Sequence, residues 1–407
     1  VEEILRERLG ELGVRVEYGS ELAGLKQDSD GVHASLQTTS GSESDSFSYA
    51  IGCDGASSTV RKLLEIGFLG QTDETVRMLT ADVEVSGLDR DFWHWWPSTD
   101  GKLLALCPLA ATDTFQLQVG VAPDTAGELP LAQIQALVQE RSGRTDIRVR
   151  RIEWQSIWRF NVRMVDRYRT GRVFLAGDSA HVHSPAGGLG MNTGIQDAYN
   201  LGWKIAHVLR GAPAGLLDTY EQERLPIAAD VLNLSSKLIA GRIKGVAPGD
   251  RQGSDTLQLK VHYPVSELNG SRRGEQTMVQ AGDRAPDSLL QGPDGSAVRL
   301  FDLLRGPHTS ALAFGPGSSK VADALAEHFH DHLKSFRLLP AASPTTEPKM
   351  THFTDNEGHT HQDYSINGDT LLIIRPDGYV GMRAADPDEA AIFQYLSQFL
   401  PTEQANR

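Results

Sequence analysis

The hydrophobic positions change period several times along the chain, and each change marks a new element. In VEEILRERLGELG, Ile4, Leu5, Leu9 and Leu12 recur at helical spacing, so the chain is predicted to open in a helix with one apolar face. VRVEY follows, then a hairpin-like pair around the turn Asp28-Ser29-Asp30-Gly31, then the polar stretch Thr38 to Ser46. Next, the apolar run Tyr49-Ala50-Ile51-Gly52-Cys53 ends in Asp54-Gly55. Ser57, Ser58 and Thr59 offer N-caps for a helix carrying Val60, Leu63 and Leu64, which makes a strand-turn-helix unit.

From about Met78 to Trp158 the period switches to strict alternation, clearest in Phe115, Leu117, Val119 and Val121, with one helical stretch from Leu131 to Ser142. This reads as an antiparallel sheet domain inserted into an α/β one. The α/β character returns at Arg172-Val173-Phe174-Leu175-Ala176, a short buried strand. A Gly-rich loop then leads into a helix from about Met191 to Arg210, with Gly211 placed to end it. Helical sequence continues to roughly Lys244. The expected organisation is a nucleotide-binding domain in two parts, 1–77 and 159–245, a sheet domain at 78–158, an irregular linker at 246–280 and a separate domain at 281–407.

Composition narrows the function. The formal net charge of -14 carries no basic clusters, which excludes a nucleic-acid groove or an anionic membrane surface as partner. Two cysteines, Cys53 and Cys107, can build no disulfide framework, CxxC pair or four-thiolate zinc site, which suits a reducing cytoplasm. No apolar run approaches the ~20 residues that span a bilayer. His181 and His183, and the group His328, His330, His332, His359 and His361, read as structural or solvated residues rather than metal ligands.

The chemistry concentrates in Arg172 to Gly211. Gly177-Asp178 stands at the C-terminal end of a parallel strand, where open α/β sheets bind ligands, and an Asp there can accept hydrogen bonds from a polyol. In Ser184-Pro185-Ala186-Gly187-Gly188-Leu189-Gly190, three glycines let the backbone approach a flat ligand before the chain enters a helix N-terminus. That end presents N–H groups and partial positive charge, suited to an electron-rich carbonyl or a developing anion. A tight strand-to-helix turn is the alternative reading of the same glycines.

RVFLAGDSAHVHSPAGGLGMNTGIQDAYNLGWKIAHVLRG, followed by LLDTYEQERLPIA, resembles the second flavin-binding segment of the FAD-dependent aromatic hydroxylases. These are the single-component flavoprotein monooxygenases that include phenol, polyketide and rifamycin hydroxylases. IGCDGASSTVRKLL resembles the same family's Asp-Gly motif, and LLIIRPDGYVGMR the end of the thioredoxin-like domain of one branch. The resemblance implies an α/β fold: an FAD/NAD(P)-binding Rossmann-like domain, an inserted antiparallel sheet for substrate, and a C-terminal thioredoxin-like domain. Lacking any cysteine after Cys107, that last domain has a structural or homodimer-contacting role. FAD is the implied cofactor, NAD(P)H the co-substrate, and an aromatic molecule and O2 the reactants.

By resemblance, Asp178, with Gly177, meets the FAD ribityl or ribose-side hydroxyls, and Gly190, Met191 and Asn192 line the isoalloxazine, after Pro185, Gly187 and Gly188. Asp54, Gly55, Thr59 and Arg61 belong to the Asp-Gly motif, with Arg61 an electrostatic partner for pyrophosphate or NAD(P)H. Leu22 matches a position on the adenine side. The family's opening strand-GxGxxG-helix has no counterpart here, so the chain is expected to begin in mid-domain and to bind FAD weakly or not at all by itself. The implied reaction passes through a flavin C4a-hydroperoxide, for which the protein must exclude water. No catalytic residue stands out. Trp93, Trp95 and Trp96 are candidates for stacking the substrate, although aromatic residues in sheets are more often core. Two other readings use the same residues: a flavin-dependent epoxidase or reductase of a non-aromatic substrate, and an inactive remnant that binds aromatic ligands.

Overall fold

A computed structural model describes residues 1–98, 102–183, 188–243, 256–270, 278–341 and 352–401. By packing, the chain divides into two units, Val1–Leu69 with Arg163–Val182, and Gly70–Val162 with His183–Arg407.

The first unit opens with the expected helix, Glu2–Glu11, but buries none of its residues. Ile4 is 68% exposed. VRVEY forms no strand, and Val14 and Val16 are exposed. The hairpin forms about Asp28, whose carboxylate accepts from the N–H groups of Asp30 and Gly31 at 2.8 and 3.1 Å and so closes the turn. Its strands are Glu21–Gln27 and Val32–Thr38, and a third strand, Gly41–Phe47, pairs with the second from Thr38↔Gly41 to Val32↔Phe47. The polar stretch is therefore a strand, because ladder hydrogen bonds come from the backbone and need no apolar side chains. A separate short sheet holds Ala50–Gly52 parallel to Val173–Leu175, which Arg169–Thr170 flanks antiparallel. Val173, Phe174 and Leu175 are fully buried, as their unbroken apolar run requires.

The alternating region, most of it in the second unit, forms a sheet in the order His181–Val182, Arg148–Val165, Phe68–Ser86, Thr114–Val121, Leu104–Pro108, His94–Trp96. Phe68–Ser86 begins before the expected limit of 78, and Arg148–Val165 runs past that of 158. Leu79, Ala81, Val83, Phe115, Leu117 and Val119 point to one face and pack with Ile134 and Val138 of the helix Leu131–Ser142. That burial is what the period-2 pattern encodes.

The helix Gly190–Leu209 and the longer Asp218–Ile243 follow, joined through a short turn of helix at Ala214–Leu217. The C-terminal sheet is built on Thr309–Phe314, parallel to Leu333–Pro340 across the helix Pro316–Phe329. On its other side lies Thr370–Ile374, antiparallel, followed by Val380–Ala385 and the helix Glu389–Leu396. Trp203, Leu216 and Leu268 lie in one core with Ala311, Phe329, Leu371, Ile392 and Phe399, because the apolar stripe of Gly190–Leu209 finds its cover there. Among the described residues no helix is long and apolar enough to cross a membrane.

Candidate functional site

In the first unit the two parallel strands end side by side, and their ends are tied together. Gly52 must be glycine: a Cβ there would lie 2.8 Å from Cβ of Val60 and 3.0 Å from Cδ2 of Leu175. Ser179 Oγ donates to Gly52 O at 2.5 Å and accepts from the Ala176 N–H at 3.1 Å. Gly177 takes φ 62, which reverses the chain at the strand end and leaves Asp178 exposed at its tip.

Asp54 serves the neighbouring loop rather than projecting from it. Its carboxylate accepts from Ser58 Oγ at 2.5 Å and from the N–H groups of Thr59 and Val60 at 2.7 and 3.0 Å. It thereby caps the helix Thr59–Leu63 together with Ser58, which accepts from the Arg61 N–H. Gly55, at φ 76, makes the bend between them. Thr59 is exposed, and Leu22 is half-buried beside an irregularity in the first hairpin.

Arg61 departs from expectation. Its side chain turns inward, leaving the residue 5% exposed. Nη1 donates to Ser179 O at 2.8 Å, Nη2 to Ala56 O at 2.7 Å, and the guanidinium lies 3.8 Å from the centroid of the Phe68 ring. Burial pushes its pKa below the ordinary value, against the pull of Asp54. The residue expected to meet phosphate instead stitches the Asp-Gly loop to Gly177-Asp178-Ser179, because two backbone carbonyls stand within its reach.

In the second unit Pro185 and Gly187 lie outside the described residues, while Gly188 takes φ 65. The helix start is open: Leu189 supplies no side-chain cap, Met191 is 63% exposed, and Asn192 is exposed beside it. A Cβ on Gly190 would come within 3.3 Å of the His183 ring. A cavity of 430 Å³ opens along this side of the helix, with Asn192, Ile195, Tyr199, Tyr263, Arg284 and Tyr379 among its walls.

The tryptophans separate by strand alternation. Trp96 packs against the sheet core and stacks on His94 at 6.2 Å, whereas Trp93 and Trp95 meet edge to face at 6.2 Å. Trp96 is a core residue. His181 is buried and stacks on Tyr168.

Sequence reading missed a buried charged cluster. Lys204 Nζ donates to Glu223 Oε2 at 2.7 Å, and Arg375 donates to both oxygens of Glu223 and both of Asp377, at 2.5 to 3.0 Å. The Lys204, Glu223 and Arg375 side chains are wholly buried. Next to it, Arg224 Nε donates to Asp197 at 2.8 Å. Burial lowers Lys204 to about 8 although Glu223 opposes it. Burial alone would raise Glu223, yet Arg375 and Lys204 hold it far below the carboxylate range. The available signal was Asp197, Asn200 and Lys204 at helical spacing among Leu201, Trp203 and Ile205, polar residues on the stripe that should face the core.

The parts fit FAD: an exposed carboxylate at a parallel strand end for hydroxyl groups, and an uncapped helix start behind a glycine-rich approach for an electron-rich ring edge. Each feature, taken within its own unit, suits one part of a flavin dinucleotide. Residues 1–235 match the family described as FAD binding domain. The chain is 41% identical over 400 residues to a flavin-dependent monooxygenase of Mycobacteroides abscessus, covering 98% of this chain and 76% of that protein. To the 6-methylpretetramide 4-monooxygenase of Streptomyces rimosus it is 42% identical over 440 residues, covering 99% and 76%. Among solved structures, a ternary complex of aklavinone-11 hydroxylase with FAD and aklavinone superposes with a TM-score of 0.80 at 26% identity, covering 98% of this chain and 77% of that one. The chain belongs to the FAD-dependent aromatic hydroxylases; it is an enzyme of the flavin monooxygenase class, and FAD is its cofactor.

Proposed function

We propose that this protein hydroxylates an aromatic ring, phenolic or polyketide-like, with NAD(P)H as electron donor. One atom of O2 enters the ring C–H bond as hydroxyl; the other leaves as water with a proton and the hydride equivalent of NAD(P)H. Bound FAD supplies the redox chemistry that activates O2, and the protein's residues bind, orient and exclude water. The observation that carries the reading is the open helix start at Gly190-Met191-Asn192, in a chain whose relatives are named as 6-methylpretetramide, anhydrotetracycline, rifampicin and pentachlorophenol monooxygenases.

In this reading Asp178 accepts hydrogen bonds from the ribityl or ribose-side hydroxyls. The N–H groups of Gly190, Met191 and Asn192 face the electron-rich edge of the ring, with Pro185, Gly187 and Gly188 forming the approach. Gly177, Asp54, Gly55 and Thr59 shape the strand-end loops, Arg61 holds those loops together, and Leu22 takes the adenine side. Trp95, which alternates with the core-packed Trp96 on the strand His94–Trp96, and Trp93 just before that strand offer the aromatic substrate a stacking surface. Residues 281–407 are read as thioredoxin-like, supported by the β-α-β then β-β-α order about Thr309–Phe314. With no cysteine beyond Cys107 they act as support rather than as a redox module.

The reaction is tested by NAD(P)H oxidation stimulated by phenols, with ¹⁸O2 followed by mass spectrometry. The expected product carries one ¹⁸O atom. A product whose new oxygen comes from water, or oxidation without any oxygenated product, overturns the reading. For the site, Asp178→Ala should raise the FAD dissociation constant by about tenfold or more, the loss of a hydrogen bond to a charged group. Fluorescence titration with FAD reads this directly, and an unchanged constant removes Asp178 from the site.

A further inference from the structure

We propose that the turn Arg375-Pro376-Asp377 positions the helix Gly190–Leu209, and through it the helix start that meets the flavin; this rests on the role proposed above for Gly190-Met191-Asn192. The turn is made to present side chains. Arg375 N–H donates to Tyr379 O at 2.8 Å, Gly378 N–H to Arg375 O at 2.9 Å, and Gly378 takes φ 79. Arg375 and Asp377 are thereby held next to each other and bridged by the guanidinium.

From this turn, contacts run directly to the helix. Tyr199 Oη donates to Pro376 O at 3.1 Å, and Asn200 Nδ2 lies 3.2 Å from Asp377 Oδ2 and 2.7 Å from Glu223 Oε2. Arg375 also grips Glu223, whose other partner on the helix is Lys204. The residue after Glu223 continues the line toward the helix start: Arg224 pairs with Asp197 and donates to Thr193 O at 3.3 Å. Thr193 is in the first turn, bonded by its N–H and its Oγ1 to Leu189 O at 2.9 and 2.8 Å. Anchors therefore run along the helix from Lys204 to one residue short of Asn192.

The energetics favour a geometric role. Buried ion pairs are commonly no more stabilising than well-packed apolar side chains, but they are intolerant of misplacement. Sliding the helix by one residue moves it about 1.5 Å, enough to break every bond in this set, whereas the apolar contacts of Trp203 and Ile205 would survive in altered form. The charged cluster thus selects one register where the apolar core permits several.

The test compares Arg375→Lys, which keeps charge but loses the two-pronged grip, with Tyr199→Phe, which removes one bond from a half-exposed side chain and leaves the core intact. Asn192→Asp serves as the probe of the helix start itself. FAD affinity, the midpoint potential of bound FAD and the unfolding temperature are measured for each. The expected result is a roughly three- to tenfold weaker FAD affinity in Arg375→Lys with a displaced potential, a smaller change of the same sign in Tyr199→Phe, and a displaced potential in Asn192→Asp. If Arg375→Lys does not fold, Tyr199→Phe carries the comparison. If the first two variants change only the unfolding temperature while Asn192→Asp moves the potential, the cluster merely stabilises and the inference is overturned. If Asn192→Asp also leaves FAD affinity and potential unchanged, the flavin role of the helix start fails and the inference falls with it.

Discussion

Gly52 ends its strand, Gly55 lies in the loop that follows, and they are glycine for different reasons, so substitution should separate them. At Gly52 the obstacle is space, since a Cβ meets Val60 and Leu175, and Gly52→Ala should cost about 1 to 3 kcal/mol by overpacking. At Gly55 nothing lies within 4 Å of the added Cβ, and only the positive φ is unfavourable, so Gly55→Ala should cost about 1 to 2 kcal/mol. Urea unfolding of the two variants measures both, and a Gly52→Ala protein as stable as the parent would contradict the close approach of strand and helix. Arg61 teaches the complementary lesson. Its type and motif point to phosphate, but carbonyls at Ser179 and Ala56 were nearer than any solvent-facing role.

At the scale of elements, local rules account for most of what forms. The helix Thr59–Leu63 is short and relies on its double cap, so Ser58→Ala should destabilise by about 1 kcal/mol, visible as a lower unfolding midpoint. The helix Leu131–Ser142 has the bounds its pattern predicts, ended by Gly143 at φ 67. The strand Gly41–Phe47 was illegible for a physical reason: six of its seven residues are exposed, so no alternation was imposed on its side chains, and only pairing with Val32–Thr38 made it a strand. VRVEY shows the converse. Its apolar residues suggest a buried element, yet no strand pairs with it among the described residues.

For the molecule as a whole, the second unit's cluster around Glu223 should show in the pH dependence of stability. Lys204 titrates at about 8 in the folded protein, below its ordinary value of 10.5, so between these limits the unfolded chain binds more protons and the Lys204 contribution to stability increases as pH rises. The stability of the parent relative to Lys204→Met should therefore grow by on the order of 1 kcal/mol from about pH 7.5 to 9.5. Equal pH slopes for the two proteins in denaturant titrations would show that Lys204 titrates normally.

The sequence by itself determined the family, the strand-turn-helix unit at Tyr49 to Leu64, the buried strand Val173–Leu175 and the alternating core of the inserted sheet. Each of these depends on periodicity or on a contiguous motif, which a linear string retains. It also placed Gly177-Asp178 and Gly190-Met191-Asn192 at the ends of their elements. Only the tertiary structure decided that Arg61 faces inward, that Trp96 belongs to the core, and that the C-terminal sheet shares one core with Gly190–Leu209. It alone joined Glu223 to Arg375, 152 positions apart in sequence. Such pairings depend on distance in space and on the loss of solvent around each group, and neither quantity is a property of any short stretch of chain.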